Sequence, residues 1–351
     1  MLIIDAHLDL AHNALESNRD LLQPIAAIRE SEAGMPQRSR GLNVVNFEQL
    51  RRGEFGLFFV TAHCRLASIG KRFSGARTQD IAYAKSIGEL AYYQLMQSKG
   101  ILRQIKSRKD LDIHVEQWEH DSAVCPLGFV LTMEGADGIV DENQVGYWWD
   151  LGLRIVSLCH YGISAYAHGT QAPGGLTPRG KPLLEALEAA GIILDVSHLA
   201  EDAFWEALDA FGGTVMASHN CCRALCDHDR QLDDKQIKAL VARGGVIGTA
   251  FDNWMLSPLW DVEAQDNTGI TFETVVDHMD HVCQIAGNTA HVAIGSDLDG
   301  GFGKDQSPAD LDTIADLQKI PDILEKRGYS DDDVAAIMHG NWLRLLREAW
   351  S

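Results

Sequence analysis

The sequence predicts an α/β protein built as a closed (β/α)8 barrel. Three observations lead there. Eight short apolar runs recur along the 351 residues. Amphipathic helical stretches lie between most of them. Nearly every run ends in a histidine or a carboxylate. Continuous apolar runs without alternation suit strands buried on both faces, as in parallel sheets. Eight such runs alternating with helices is the arithmetic of this barrel.

In order, the runs are LIID (2–5), GLFFVTAH (56–63), PLGFVLTME (126–134), LRIVSLCH (153–160), GIILDVSH (191–198), GTVMASH (213–219), GGVIGTAF (244–251) and HVAIGSD (291–297). Between them DIAYAKSIGELAYYQLMQ, PLLEALEAA, AEDAFWEALDAF, DDKQIKALVAR and TFETVVDHMDHVCQIA carry apolar residues near period 3.6. Asp233 and Asp234 open one helix, and Gly191, Gly212 and Gly244 follow others. An open doubly wound sheet would favour a glycine-rich phosphate turn after its first strand, and none is present. No repeat, low-complexity tract or linker divides the chain, so residues 1–351 read as a single domain.

Composition narrows the function. Apolar residues make up 46% and charged residues 23%, an ordinary globular balance. The net charge of −20, from 50 acidic against 30 basic residues, argues against nucleic acid or an anionic membrane as partner. A small-molecule substrate is the expected partner. The N-terminal apolar run breaks at Asp5, which does not read as a signal peptide, and no run approaches a membrane span. Seven cysteines, odd in number and without a CxxC pair, read as reduced thiols of a cytoplasmic protein. Cys221, Cys222 and Cys226 do not read as a metal site, because adjacent cysteines rarely converge on one ion.

In such a barrel, function gathers at the C-terminal strand ends. The first strand ends in His7 and Asp9, the second in His63, the third in Glu134 and the fourth in His160. The fifth ends in His198, the sixth in His219 and the eighth in Asp297, whereas the seventh ends near Phe251 without an ionisable group. Side chains two apart on a strand point the same way, so His7 and Asp9 are expected to reach one point. One histidine ending an apolar run is more often a core residue than a ligand. Ionisable groups on seven of eight strands are another matter, because a core holds buried charges when they are paired or bound to a cation. His63 reads as a pocket wall. His12, His114, His120, His168, His228, His278, His281 and His339 read as surface residues.

Imidazole and carboxylate without thiolate suit zinc, and manganese or iron less well. Three histidines, one aspartate and one glutamate exceed what one tetrahedral ion with an open position needs, and suffice for two divalent ions if Glu134 bridges them. Paired ions of this kind equip a site for hydrolysis.

The blocks GLTPRGKPLLEALEAAGIILDVSH, VMASHNCCRAL, RQLDDKQIKALVARGGVIG, HVAIGSDLDGG and RGYSDDDVAAIMHGNWLRLLREA, in that order, resemble the membrane (renal) dipeptidases of peptidase family M19. That resemblance spans almost the whole chain. It implies a metal-dependent hydrolase barrel with His7, Asp9, Glu134, His198 and His219 as ligands and Glu134 as the bridge. It makes Asp297 the acid/base, gives His160 the contact to the transition-state oxygen and gives Arg230 the substrate carboxylate. It also implies tolerance of a D-residue on the C-terminal side of the dipeptide.

Relatives often begin DGHNDL where this chain has DAHLDL, with Ala6 and Leu8. Ile163 and Tyr166 stand where relatives often show Asn and Trp, and Gln231 follows Arg230 in place of Asn. These changes are expected to reshape the pocket, and Asp227 and Asp229 to crowd Arg230. Another metal-dependent amidohydrolase acting on N-acyl amino acids, cyclic amides or lactones stays open, as does a barrel that serves only as a binding module. Trp148, Trp149 and Trp342 fill helix packing or face a partner subunit in a homo-oligomer. The polar segment from Arg19 to Arg40 reads as a long loop, either a lid or a surface excursion.

Overall fold

The computed structural model describes residues 1–67, 74–261, 263 and 267–350. Its strands are β1 (Ile3–Leu8), β2 (Phe55–Thr61), β3 (Leu102–Gln104), β4 (Leu127–Glu134) and β5 (Leu153–Ser157). They continue with β6 (Ile193–Asp195), β7 (Val215–Asn220), β8 (Ile247–Thr249) and β9 (Val292–Ile294). The sheet runs β2-β1-β9-β8-β7-β6-β5-β4 and closes where β2 pairs with β4. Neighbouring strands are parallel throughout. All eight predicted runs are barrel strands.

β3 is an addition that the sequence reading lacked. It pairs with the first residues of β4, Leu102 opposite Leu127, while β5 takes the later part of the same edge. LRQ has three residues and one apolar side chain, too little for a strand signal.

The helices that position the site are α1 (Leu10–Leu15), α2 (Ile25–Ser31), α3 (Gln79–Ser98), α4 (Gly180–Ala189), α5 (Glu201–Ala210), α6 (Asp234–Ala242), α7 (Asn253–Leu256), α8 (Phe272–Ala286) and α9 (Asn341–Ala349). The five helices expected from periodicity appear within two residues of their predicted ends. Asp233 caps α6 in a capping box with Gln236.

Two apolar layers hold the barrel. Ile4, Leu57, Phe59, Val130, Ile155, Ile193, Met216, Val246 and Ala293 form one buried cluster with Trp342, Leu343, Leu345 and Leu346 of α9. Asn341 donates to Val292 O and the Trp342 indole donates to Ile294 O, so α9 closes the end of the barrel where the strands begin. The opposite rim is left for chemistry. Between strands and helices lies the larger cluster, which includes Leu8, Phe58, Phe129, Trp148, Phe204 and Phe272. Trp148 and Trp342 are fully buried, and Trp149 is half-buried beneath Arg154, whose guanidinium carbon sits 3.5 Å from the ring centre. These three tryptophans fill packing within the chain.

The segment from Arg19 to Arg40 is not one long loop. It carries α2, and Glu32 at its C-terminal end is gripped by Arg19 at 2.8 Å and by Arg40 at 2.8 Å. Arg29 donates to Asn43 O and to the Asp312 carboxylate.

Candidate metal centre

Glu134 stands at the centre of the rim. His198 Nε2 lies 3.0 Å from its Oε1, His219 Nε2 3.3 Å and His7 Nε2 3.7 Å. Its Oε2 faces His63 Nδ1 at 2.9 Å and His160 Nε2 at 3.8 Å. Asp9 Oδ2 and Asp297 Oδ1 each lie 3.8 Å from His7 Nε2. The strand-end residues singled out from sequence therefore meet. His63, expected as a wall, faces Glu134 directly.

Local backbone explains the aim of each side chain. β4 alternates normally, so Val130, Thr132 and Glu134 share the barrel interior. β1 alternates at first, with Ile3 in the outer layer and Ile4 and Ala6 in the inner one, and then slips, because Leu8 is again in the outer layer. Its pairing with β2 is irregular between Asp5 and Leu8, and the Asp5 carboxylate accepts the N–H of His7 and of Ser296. Asp9 lies past the strand, at the start of α1. His7 and Asp9 converge on either side of the outward-packed Leu8, and the irregularity after Asp5 sets which side they share. His198 and Asp297 both hold left-handed backbone, with φ of 68° and 59°. Such conformations are costly for non-glycine residues and persist where the surroundings hold them. β7, β8 and β9 crowd together beneath them: a Cβ on Gly295 would meet Ser218 O at 1.7 Å.

A network orients the imidazoles. Ser218 Oγ donates to Asp195 Oδ2 at 2.6 Å, so its contact with His219 Nδ1 at 2.8 Å leaves the imidazole as donor. The lone pair of His219 Nε2 then points at Glu134. Thr170 Oγ1 holds His198 Nδ1 at 2.9 Å. An Arg65 nitrogen lies 2.7 Å from His160 Nδ1. Arginine can only donate, so Nδ1 accepts and neutral His160 carries its proton on Nε2, toward the site.

The donor set fits cations. Three overlapping groups lie within ion-holding reach among the described residues: His7, Glu134 and His219; His63, Glu134 and His160; and His7, Asp9 and Asp297. His7 Nε2 and Asp9 Oδ1 are buried without hydrogen-bond partners. Burial, assisted by Arg230, lowers the His198 pKa to about 3, and burial with nearby cations pushes His160 and His219 well below the usual range. Neutral imidazoles offer lone pairs. His198 Nε2 and His219 Nε2 stand 3.2 Å apart beside a carboxylate, a crowding that a shared positive charge relieves. Burial opposes charge on His7, yet Glu134, Asp9 and Asp297 outweigh it and lift its pKa to about 10, the response of a site that attracts positive charge.

A cavity of about 510 Å³ opens over this centre. Arg230 lines it, 3% exposed, with one nitrogen 3.2 Å from His198 Nε2 and donating to His219 O at 2.8 Å. Its other terminal nitrogen, NH1, is buried without a hydrogen-bond partner. Asp227 and Asp229 do not crowd it. Asp229 binds His228 and the Gln171 N–H, and both carboxylates belong to a neighbouring surface groove. None of the other departures lines the cavity. Ala6, Leu8 and Tyr166 are buried in packing, Ile163 points to solvent and Gln231 binds the Met255 carbonyl.

Three histidines assigned to the surface are elsewhere. His114 and His278 are buried and bond the Gly56 and Leu256 carbonyls, while His12 lines the cavity 3.6 Å from Glu89. The sequence reading missed Arg65 and Asp252, which also line it. Asp252 follows Phe251 by one residue, so the seventh strand end carries a carboxylate after all.

A closed parallel barrel with this ring of imidazoles and carboxylates on its C-terminal rim belongs to the class of metal-dependent hydrolase barrels. The model of one family, membrane dipeptidase (peptidase family M19), matches residues 1–351, and the chain belongs to that family of metal-dependent dipeptidases. It is similar to an uncharacterised protein of the pqqA 5′ region of Klebsiella pneumoniae, 31% identical over 72% of this chain and 91% of that protein. The dipeptidase tcpJ of Claviceps purpurea is 33% identical over 63% of this chain and 51% of its own length, and the match spans about half of several such relatives. Among solved structures, a dipeptidase AC of family M19 superposes with a TM-score of 0.80 at 20% identity, covering 100% of this chain and 99% of that one. A metallopeptidase of Rhodobacter sphaeroides, solved with a phosphinate mimic of L-Ala-D-Ala, gives 0.79 at 19% identity over 100% of this chain and 99% of that one. These likenesses establish the barrel. No helix among the described residues is long and apolar enough to cross a membrane.

Proposed function

We propose that this chain hydrolyses the peptide bond of dipeptides, using two divalent ions, with zinc the ion that the donors suit best. His7, Asp9 and Glu134 would hold one ion, and Glu134, His198 and His219 the other. When bound, such ions supply a hydroxide near neutral pH and polarise a carbonyl. The rest falls to side chains. Arg230, with NH1 unpartnered in the cavity wall, takes the C-terminal carboxylate of the substrate. His160 donates from Nε2 to the carbonyl oxygen as it gains charge, a contribution of about 2.7–4 kcal/mol if it acts like an oxyanion-hole donor. Asp297 accepts the proton of the attacking water and passes it to the leaving amine. Its Oδ1 lies 3.8 Å from His7 Nε2, which places the carboxylate beside the proposed ions.

The observation that carries this reading is Glu134, whose two oxygens face imidazoles from five strand ends inside a cavity that also holds an unpartnered arginine nitrogen. A D-residue on the C-terminal side is part of the proposal, as the family resemblance implies. The reading treats residues 1–351 as one catalytic domain, and seven free thiols support a reducing, cytoplasmic setting. The test is zinc-reconstituted protein assayed on L-Xaa-L-Xaa and L-Xaa-D-Xaa dipeptides beside N-acyl-D-amino acids. Dipeptide turnover is expected; turnover of the acyl compounds alone defeats the dipeptidase assignment. Asp297→Ala should keep its metal and lose about 10²–10⁴ in kcat, the usual worth of a general acid/base.

A further inference from the structure

The cavity holds one carboxylate that this scheme leaves unused. Asp252 is 5% exposed and lines the wall with Trp254 and Met255. It caps α7 through Oδ1, which accepts the Trp254 N–H at 3.3 Å and a short bond from the Gln306 amide. The Trp254 side chain also bonds the carboxylate and the Arg38 charge acts on it, yet among the described residues no cation pairs with it within 4.0 Å, although Arg65, Lys85 and Arg230 share the cavity. Asp252 also belongs to none of the three ion-holding groups.

Capping does not explain it. An N-cap needs one oxygen, and serine or asparagine supplies that without burying a charge. A buried carboxylate without an ion-pair partner is costly even when neutral donors bond it. Burial lifts its carboxyl to about 7, outweighing the opposing bonds from Gln306 and Trp254 and the charge of Arg38.

The sheet order places the missing partner. Asp252 follows β8, between the segment after β7 that carries Arg230 and the end of β9 that carries Asp297. On the reading above, Arg230 holds the carboxylate of the C-terminal residue and Asp297 serves its amine. The group between them is that residue's side chain. Trp254 and Met255 line the wall beside it, an aromatic and an apolar side chain of the kinds that accept a cation and its methylene stem.

We propose that Asp252 sets specificity, and that the preferred substrates are dipeptides whose C-terminal residue bears a cationic side chain. This inference rests on the dipeptidase reading for where the substrate lies.

The experiment compares kcat/KM of the zinc-loaded full chain on Ala-Lys and Ala-norleucine, with the C-terminal residue in both configurations. Lysine should be preferred by about tenfold or more, the effect of roughly 1.4 kcal/mol. In Asp252→Asn, which keeps a good cap, the ratio should fall toward one. Equal rates in the wild type, or a lysine preference that survives Asp252→Asn, overturn the proposal. A second readout does not depend on turnover: calorimetric binding of free lysine against norleucine to the zinc-loaded protein. Tighter lysine binding that Asp252→Asn abolishes supports the assignment, and equal binding overturns it. If dipeptides are inert while N-acyl amino acids react, the dipeptidase reading fails by itself, and N-acyl-lysine against N-acyl-norleucine then decides the role of Asp252 by the same ratio.

Discussion

At the scale of single residues, this site depends on groups that orient other groups. His219 is set by Ser218 and Asp195, His198 by Thr170, and His160 by Arg65. Such partners fix tautomer and ring angle, and their loss commonly costs 10–100-fold in metal affinity or activity. Arg65→Met should therefore lower kcat by about that factor with little change in KM, because His160 acts on the reacting oxygen and not on the bound ground state. A change confined to KM would place Arg65 in substrate binding. Arg65 had no signal in the sequence, since a polar residue four past the end of β2 looks like any loop cation. His198 and Asp297 were found as strand-end residues, but their left-handed backbone was not readable, because it is imposed by neighbours far along the chain.

At the scale of elements, apolar runs were a good guide and polar segments a poor one. Runs such as GIILDVSH announce themselves because both faces of a parallel strand are buried. The segment from Arg19 to Arg40 looked structureless, yet the buried Arg19 and Glu32 and the half-buried Arg40 tie it down. Burial by itself would raise the Glu32 carboxyl; the bonds from Arg19, the Gly41 N–H and Arg40 outweigh it and hold the group below the usual range. A depressed carboxyl contributes stability above its unfolded pKa, and that contribution disappears as pH falls through the folded value. Glu32→Gln should cost about 3–5 kcal/mol at pH 7, as breaking a buried pair does. The gap between wild type and variant should narrow in thermal melts as pH drops below about 4. A gap that stays constant to pH 3 would mean that the ion pair is not what holds the segment.

At the scale of the whole molecule, the barrel gathers eight ionisable groups from residues 7 to 297 at one rim and packs α9 against the other end. A preformed, crowded donor set of this kind should be stabilised by the ions that it binds, by about 2.7 kcal/mol at a hundred times Kd. Zinc added to metal-free protein should raise Tm, a chelator should reverse the gain, and His219→Ala should lose most of it. An unchanged Tm would deny the centre its ions. The sequence by itself determined the fold class, the eight barrel strands and the identity of the strand-end groups, because burial patterns and residue types are local properties of the chain. Tertiary structure decided which of those groups meet and which side chains aim them. It alone brought Asp252 and Arg65 into the cavity and sent Asp227, Asp229 and Tyr166 out of it. Side-chain direction at a strand end depends on irregular turns and on contacts with distant strands, and no short stretch of sequence contains either.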